Sequence, residues 1–140
     1  MSGIPNVPDI IRMIFLELDY PDILSLCATS KQFYQYYNSS LLWSQKAEKD
    51  FDFPRQWFNL GKSMTPIKRY EKIWDYIYNP NEYLIKAARE GDLDLVKWLV
   101  DHGATFLNHA MLAAEAYGHR LVANWLLEYR KSIRYAVSTT

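Results

Sequence analysis

Few residues in this chain have the type and spacing that chemistry needs. There are three histidines. His102 stands before Gly103 and His119 follows Gly118, turn positions where an imidazole donates to the last carbonyls of a helix. His109 lacks the Asp or Cys partners that a metal or catalytic site requires. Cys27, the one cysteine, lies between Leu26 and Ala28 with no histidine or base beside it to form a thiolate, and reads as a small buried hydrophobe. Gly61-Lys62-Ser63 ends like a phosphate loop, but Gln56 stands where the first glycine belongs and no strand precedes it. The carboxylates within 48–52 and 90–94 read as solvated surface and helix caps. The expectation is a chain with no catalytic residue, no metal ligand and no cofactor, and not an enzyme.

Composition narrows the classes further. The 140 residues carry 16 basic and 16 acidic side chains, a net charge of zero. A dedicated nucleic-acid binder needs a basic surface to neutralise phosphates, so none is expected as a partner. One cysteine excludes an internal disulfide framework and a cysteine zinc site. The opening MSGIPNVPDII lacks the basic and apolar regions of a signal peptide. No stretch approaches the roughly 20 apolar residues of a membrane span. A soluble protein of a reducing compartment is expected. Aromatic residues make up 16% of the chain, a high share, and aromatics are used heavily in cores and in protein interfaces.

The elements that must position these side chains are helical. No Asn-Gly or Asp-Gly hairpin turn and no sustained alternation appears. Pro8 suits a first helical position, followed by Ile10, Ile11, Ile14, Phe15 and Leu18 at helical spacing, with Ile14, Leu18 and Leu26 assigned to the core. Pro21 opens a second helix through Ile23, Leu24 and Leu26. Ser30 caps a third carrying Phe33, Tyr36 and Tyr37; Ser39 or Ser40 caps another with Leu42, Trp43 and Ala47. Pro54 and Gly61 punctuate a loop. Thr65-Pro66 starts a helix whose Ile67, Tyr70, Ile73, Trp74 and Ile77 share a face, until Asn79-Pro80 stops it.

Residues 80–130 repeat with a period of 27: Ala87 returns as Ala114, Gly91 as Gly118, Trp98 as Trp125 and Leu99 as Leu126. Each copy reads as a short helix, a glycine turn and a second amphipathic helix. Both glycines suit a left-handed position, Asp92 caps the next helix, and Leu95, Val96, Leu99 and Val100 form its buried stripe. The stretch AAREGDLDLVKWLVDHGA resembles the ankyrin repeat, shortened from the usual period of about 33. Glu82-Tyr83-Leu84-Ile85 and Ala110-Met111-Leu112 replace the usual Thr-Pro-Leu-His. Such shortened repeats look similar to those of ankyrin proteins of large DNA viruses. Because roughly three repeats are needed for a continuous core, helix 66–78 is expected to cap them, stacking Ile73, Trp74 and Ile77 on Leu84 and Ile85.

Residues 7–43, VPDIIRMIFLELDYPDILSLCATSKQFYQYYNSSLLW, resemble the F-box, the helical module that docks proteins onto the Skp adaptor of cullin–RING ubiquitin ligases. The resemblance rests on Val7-Pro8, Ile14-Phe15, Leu18, Pro21-Asp22-Ile23-Leu24, Ser30-Lys31-Gln32-Phe33-Tyr34 and Leu42-Trp43. Val7 stands for the usual Leu, Gln32 for an Arg, and the spacing from Pro8 to Phe15 is one residue short. The resemblance implies adaptor contacts at Val7, Pro8, Ile11, Phe15, Leu24, Phe33, Tyr34, Leu42 and Trp43. For Phe33 and Trp43 core and interface stay open.

The expected architecture is all-α: an F-box-like three-helix module at 1–50, connecting helices at 51–79, two ankyrin-like helix pairs at 80–130 and a tail at 131–140. The expected function is that of a non-enzymatic adaptor linking an unknown target protein to a Skp–cullin–F-box ubiquitin ligase, by proximity alone. Target contacts are expected at Tyr83, Lys86, Arg89, Glu90, His109, Glu115 and Tyr117. The viral resemblance implies a protein acting on host ubiquitination, in host cytoplasm or nucleus. The alternative is a structural or virion-associated scaffold with an F-box-like fold, no ligase role and a homo-oligomeric state.

Overall fold

The computed structural model describes residues 7–60 and 63–138. Among them every regular element is a helix: α1 (Val7–Glu17), α2 (Tyr20–Thr29), α3 (Lys31–Tyr34), α4 (Ser40–Phe51), α5 (Arg55–Leu60), α6 (Pro66–Tyr78), α7 (Pro80–Glu90), α8 (Leu93–Asp101), α9 (Leu107–Ala116) and α10 (Arg120–Ser138). The caps follow local chemistry. Phe33 N–H donates to Ser30 Oγ at 3.5 Å, and Leu42 N–H to Ser39 Oγ at 3.2 Å. Lys68 N–H donates to Thr65 Oγ1 at 3.4 Å, and Leu95 N–H to Asp92 Oδ1 at 3.2 Å. Each serves one of the amides that a helix start leaves without an internal acceptor. The segment read as a loop after Pro54 forms α5 instead. Phe58 supplies the reason, because its ring is buried and a helical turn satisfies the backbone that goes inside with it. Gly61-Lys62 lies outside the described residues.

The chain divides into two compact units, residues 1–73 and 74–140, with the division inside α6. The first unit therefore runs well past position 50. Its core is an aromatic cluster centred on Trp43. Phe15 of α1 meets Trp43 edge-on with ring centres 4.8 Å apart, and Tyr70 of α6 lies 5.0 Å from it. Tyr20 stacks on Tyr70 at 5.5 Å, and Phe51 meets Tyr70 at 5.3 Å. Tyr70 ties α6 to the helices before it: Tyr20, Trp43 and Phe51, the rings it meets, belong to α2 and α4. Arg69 adds a polar tie, donating to Ser40 Oγ and to the Met64 and Phe58 carbonyls, with its guanidinium over the Phe58 ring.

The second unit is two helical hairpins, α7–α8 and α9–α10, whose starts recur at the sequence period. Pro80 and Leu107 open the first helices, Leu93 and Arg120 the second. Gly91 and Gly118 both turn left-handed, at φ 77° and 78°, where a Cβ would be strained. The turn bonds repeat as well: Asp92 N–H donates to the Ala87 carbonyl at 3.0 Å, and His119 N–H to that of Ala114 at 2.8 Å. Trp98 stacks on His102 and Trp125 on Tyr129, the same pair one period later. Ala87, Ala114, Leu99 and Leu126 are all buried. Leu95 is half-buried, and Trp98 joins Val96, Leu99 and Val100 inside.

The residues expected to cap this unit are arranged differently. Ile73 is buried in the first unit, and Trp74 stacks on Tyr78 at 5.4 Å. Tyr76 is the α6 residue that reaches the first hairpin, edge-on to Tyr83 at 4.9 Å and to Trp98 at 6.1 Å.

Candidate protein-interaction site

Helices α1 to α4 hold all of the residues assigned to adaptor contact, and burial sorts those whose side chains are described into two groups. Ile11, Phe15, Leu42 and Trp43 are buried. Trp43 is fixed further by its indole N–H, which donates to the Tyr37 carbonyl at 2.7 Å. These four side chains are a floor beneath the surface. Leu24 and Phe33 are half-buried and Tyr34 is exposed, its ring stacked on Tyr37 with centres 6.1 Å apart. The side chains of Val7 and Pro8 lie outside the described residues.

The outward face of α1 holds one residue that the sequence places in the core. Ile14, assigned to the core, is exposed, and with Ile10 and Met13 it forms an apolar strip at spacing i, i+3, i+4; Met13 is 55% exposed. The reason is register. Ile11 and Phe15, four apart, face inward onto α4, which turns Ile10 and Ile14 to the other side. On α4, Leu41 is exposed next to the buried Leu42-Trp43 pair. A contiguous apolar strip on a small unit is the mark of a surface another protein covers.

Two lysines of α4, one buried and one exposed, hold this face in place. Lys46 is 2% exposed; its ammonium donates to the Leu18 carbonyl at 2.5 Å and pairs with Asp50 at 3.0 Å. Asp50 also accepts from Tyr70 Oη at 2.6 Å. Lys49 donates to the Leu16 carbonyl and pairs with Glu17. That hydrogen bond and charge hold the Glu17 carboxyl below its ordinary range. Two lysines of α4 thus serve the carbonyls at the C-terminal end of α1, which a helix end leaves unpaired. Sequence reading missed Lys46 because an isolated lysine in a helix reads as surface. On α2, Tyr20 Oη donates to Glu71; burial first and this bond second raise its pKa.

Cys27 is buried, burial raises its pKa, and its thiol donates to the Phe33 carbonyl at 3.6 Å. Among the described residues no three His, Cys, Asp or Glu side chains gather as a metal would require. None of the helices is long and apolar enough to cross a membrane among the described residues.

Of the residues assigned to target contact, Lys86, Arg89, Glu90, His109, Glu115 and Tyr117 are exposed and Tyr83 is half-buried against Tyr76. Arg89 and Tyr117 come together, with the guanidinium 5.7 Å from the ring centre, and His109 packs on Phe106 at 5.1 Å. His102 donates through Nδ1 to the Trp98 carbonyl at 2.7 Å, as its turn position implies. Asn81 escaped the sequence reading. Its Oδ1 accepts from the N–H groups of Thr105 and Phe106, at 2.7 and 2.9 Å, and so binds the start of the second hairpin. The available signal was its recurrence as Asn108 one period on.

Comparison with curated proteins and with solved structures finds no match for the chain. A family is matched on the first unit, over the stretch that runs from ahead of α1 into α4 and holds both the apolar strip and its Phe15–Trp43 floor: residues 4–45 match the F-box domain.

Proposed function

We propose that the chain is a substrate adaptor of a Skp–cullin–F-box ubiquitin ligase, with the α1 strip docking on the Skp adaptor and the second unit holding a target protein. F-box domains bind that adaptor in general, and the observation that carries the reading for this chain is the exposed Ile10, Met13 and Ile14 strip inside the F-box segment. Apolar side chains over a rigid aromatic floor bury area at little ordering cost. Leu24, Phe33, Tyr34 and Leu41 extend the proposed contact; Ile11, Phe15, Leu42 and Trp43 support it from beneath. The two hairpins are read as shortened ankyrin-like pairs, with target contacts at Tyr83, Lys86, Arg89, Glu90, His109, Glu115 and Tyr117. Their resemblance to shortened viral repeats extends the reading to a viral protein acting on host ubiquitination.

Calorimetric titration of the chain with purified Skp adaptor tests this. Saturable binding is expected, weakened at least about tenfold by Met13→Asp with Ile14→Asp, since each change puts a charge into an apolar contact. Absence of binding by the unaltered chain overturns the reading. The same strip would serve a self-associating scaffold equally. Light scattering separates the two, since a dimer dispersed by these substitutions, without adaptor binding, supports the scaffold.

A further inference from the structure

Among the side chains of the proposed contact, Met13 alone carries sulfur. It is also the most exposed member of the α1 strip, at 55% against 43% for Ile10 and 39% for Ile14. An unbranched, polarizable thioether suits such a place, because it conforms to a facing surface where the two stiff isoleucines cannot. The same property makes it the one side chain of the contact that a peroxide attacks, since oxidation of sulfur follows exposure.

The other described sulfurs lie elsewhere. Cys27 is 3% exposed and its thiol is occupied with the Phe33 carbonyl; burial raises its pKa, so little thiolate meets an oxidant. Met111 is half-buried on α9 of the second unit. Met64 is exposed, but it stands ahead of α6, where its carbonyl accepts from Arg69. The floor beneath the strip holds no sulfur: Ile11, Phe15, Leu42 and Trp43 are buried, and Ile11 and Phe15 face away from Met13. Oxidation at Met13 therefore changes the surface of α1 and leaves its packing on α4 alone.

We propose that Met13 is a reversible oxidation site that controls docking of the α1 strip, with a hydroperoxide as its substrate. The Sδ lone pair attacks one oxygen of hydrogen peroxide, the O–O bond breaks, and the departing hydroxide takes up the proton of the transferred oxygen and leaves as water. Sulfur is oxidised by two electrons to the sulfoxide, and the peroxide is reduced. The new S–O dipole is a strong acceptor in the middle of an apolar strip, and docking strips it of water without supplying a donor. A dithiol sulfoxide reductase reverses the change, the oxygen leaving as water and the two thiols closing to a disulfide. The inference rests on the α1 strip being the surface that meets the Skp adaptor.

Calorimetric titration of the full chain with purified Skp adaptor, before and after hydrogen peroxide, reads the switch, and peptide mass mapping places the added oxygen. Oxidation at Met13 is expected to weaken binding about tenfold, as one polar group enters an apolar contact, with the unfolding temperature unmoved. A pair of methionine sulfoxide reductases, one for each epimer, is expected to restore it. The affinity ratio before and after peroxide is expected to stay level in Met13→Leu and to show the full fall in Met64→Leu. Undiminished binding with Met13 wholly converted to the sulfoxide overturns the proposal and leaves the docking reading standing. So does an equal fall in Met13→Leu, which assigns the effect to another methionine. A Met13 that stays reduced while Met64 is converted also overturns it. Absence of binding by the untreated chain overturns the docking reading, and the switch with it.

Discussion

The ammonium of Lys46 lies 2.5 Å from the carbonyl oxygen of Leu18, joining α4 to the chain just past α1 through a cation that is 2% exposed. The same group pairs with Asp50, which accepts from Tyr70, so one lysine links α1, α4 and α6. Replacing it by methionine keeps most of the volume and leaves a carbonyl and a carboxylate without their donor. The expected loss is about 2–3 kcal/mol of unfolding free energy. Lys49→Met is expected to cost under about 1 kcal/mol, because its pair with Glu17 is exposed. Urea unfolding of the two variants measures both, and equal costs would show that the buried position confers nothing extra.

Trp43 and Ile14 separate folding from binding within one domain. Trp43→Ala removes the ring that Phe15, Tyr20 and Tyr70 pack on and the donor to the Tyr37 carbonyl. A loss of about 4 kcal/mol is expected. Ile14→Asp changes an exposed side chain and is expected to move stability by no more than about 0.5 kcal/mol. Thermal unfolding beside adaptor titration reads the difference. A stable Ile14→Asp chain with undiminished binding would remove α1 from the contact.

The two turn glycines should respond unequally to alanine. Both have positive φ, so each substitution carries about 1–2 kcal/mol of backbone strain. Gly91→Ala also pushes its methyl into the His119 ring, whereas Gly118→Ala meets open space. About 1 kcal/mol more is expected at Gly91. In a His119→Ala background that excess should vanish. A double-mutant cycle in urea checks it, and additivity would place the ring elsewhere.

Alkaline pH should weaken the second unit through Tyr76. Burial first, then the Tyr83 phenol and the carboxylates of Asp92, Glu90 and Asp75, push its pKa from 10.0 up to about 12. A raised pKa means that the folded state favours the neutral phenol. Its contribution is fully present below pH 10, where the unfolded phenol is also protonated, and is lost as pH rises through about 12. Urea midpoints between pH 9 and 12 should fall more steeply for the unaltered chain than for Tyr76→Phe. Parallel curves would contradict the assignment.

The sequence by itself determined what depends on neighbours along the chain. Helix starts were legible at Ser30, Ser39, Thr65 and Asp92, because a cap is a contact over three residues. The glycine turns and the 27-residue period were legible because a repeat returns the same local chemistry to the same place. The F-box pattern was legible for the same reason, as a spacing of apolar and turn residues. Tertiary structure decided which of those residues a partner can touch. Ile11, Ile14 and Phe15 are alike in type, and only the packing of α1 on α4 turns Phe15 inward and Ile14 out. It also decided that Lys46 is buried, that Ile73 and Tyr76 serve different units, and that Gly118 is open where Gly91 is covered. Burial is a property of what lies opposite a side chain, and what lies opposite comes from residues dozens of positions away.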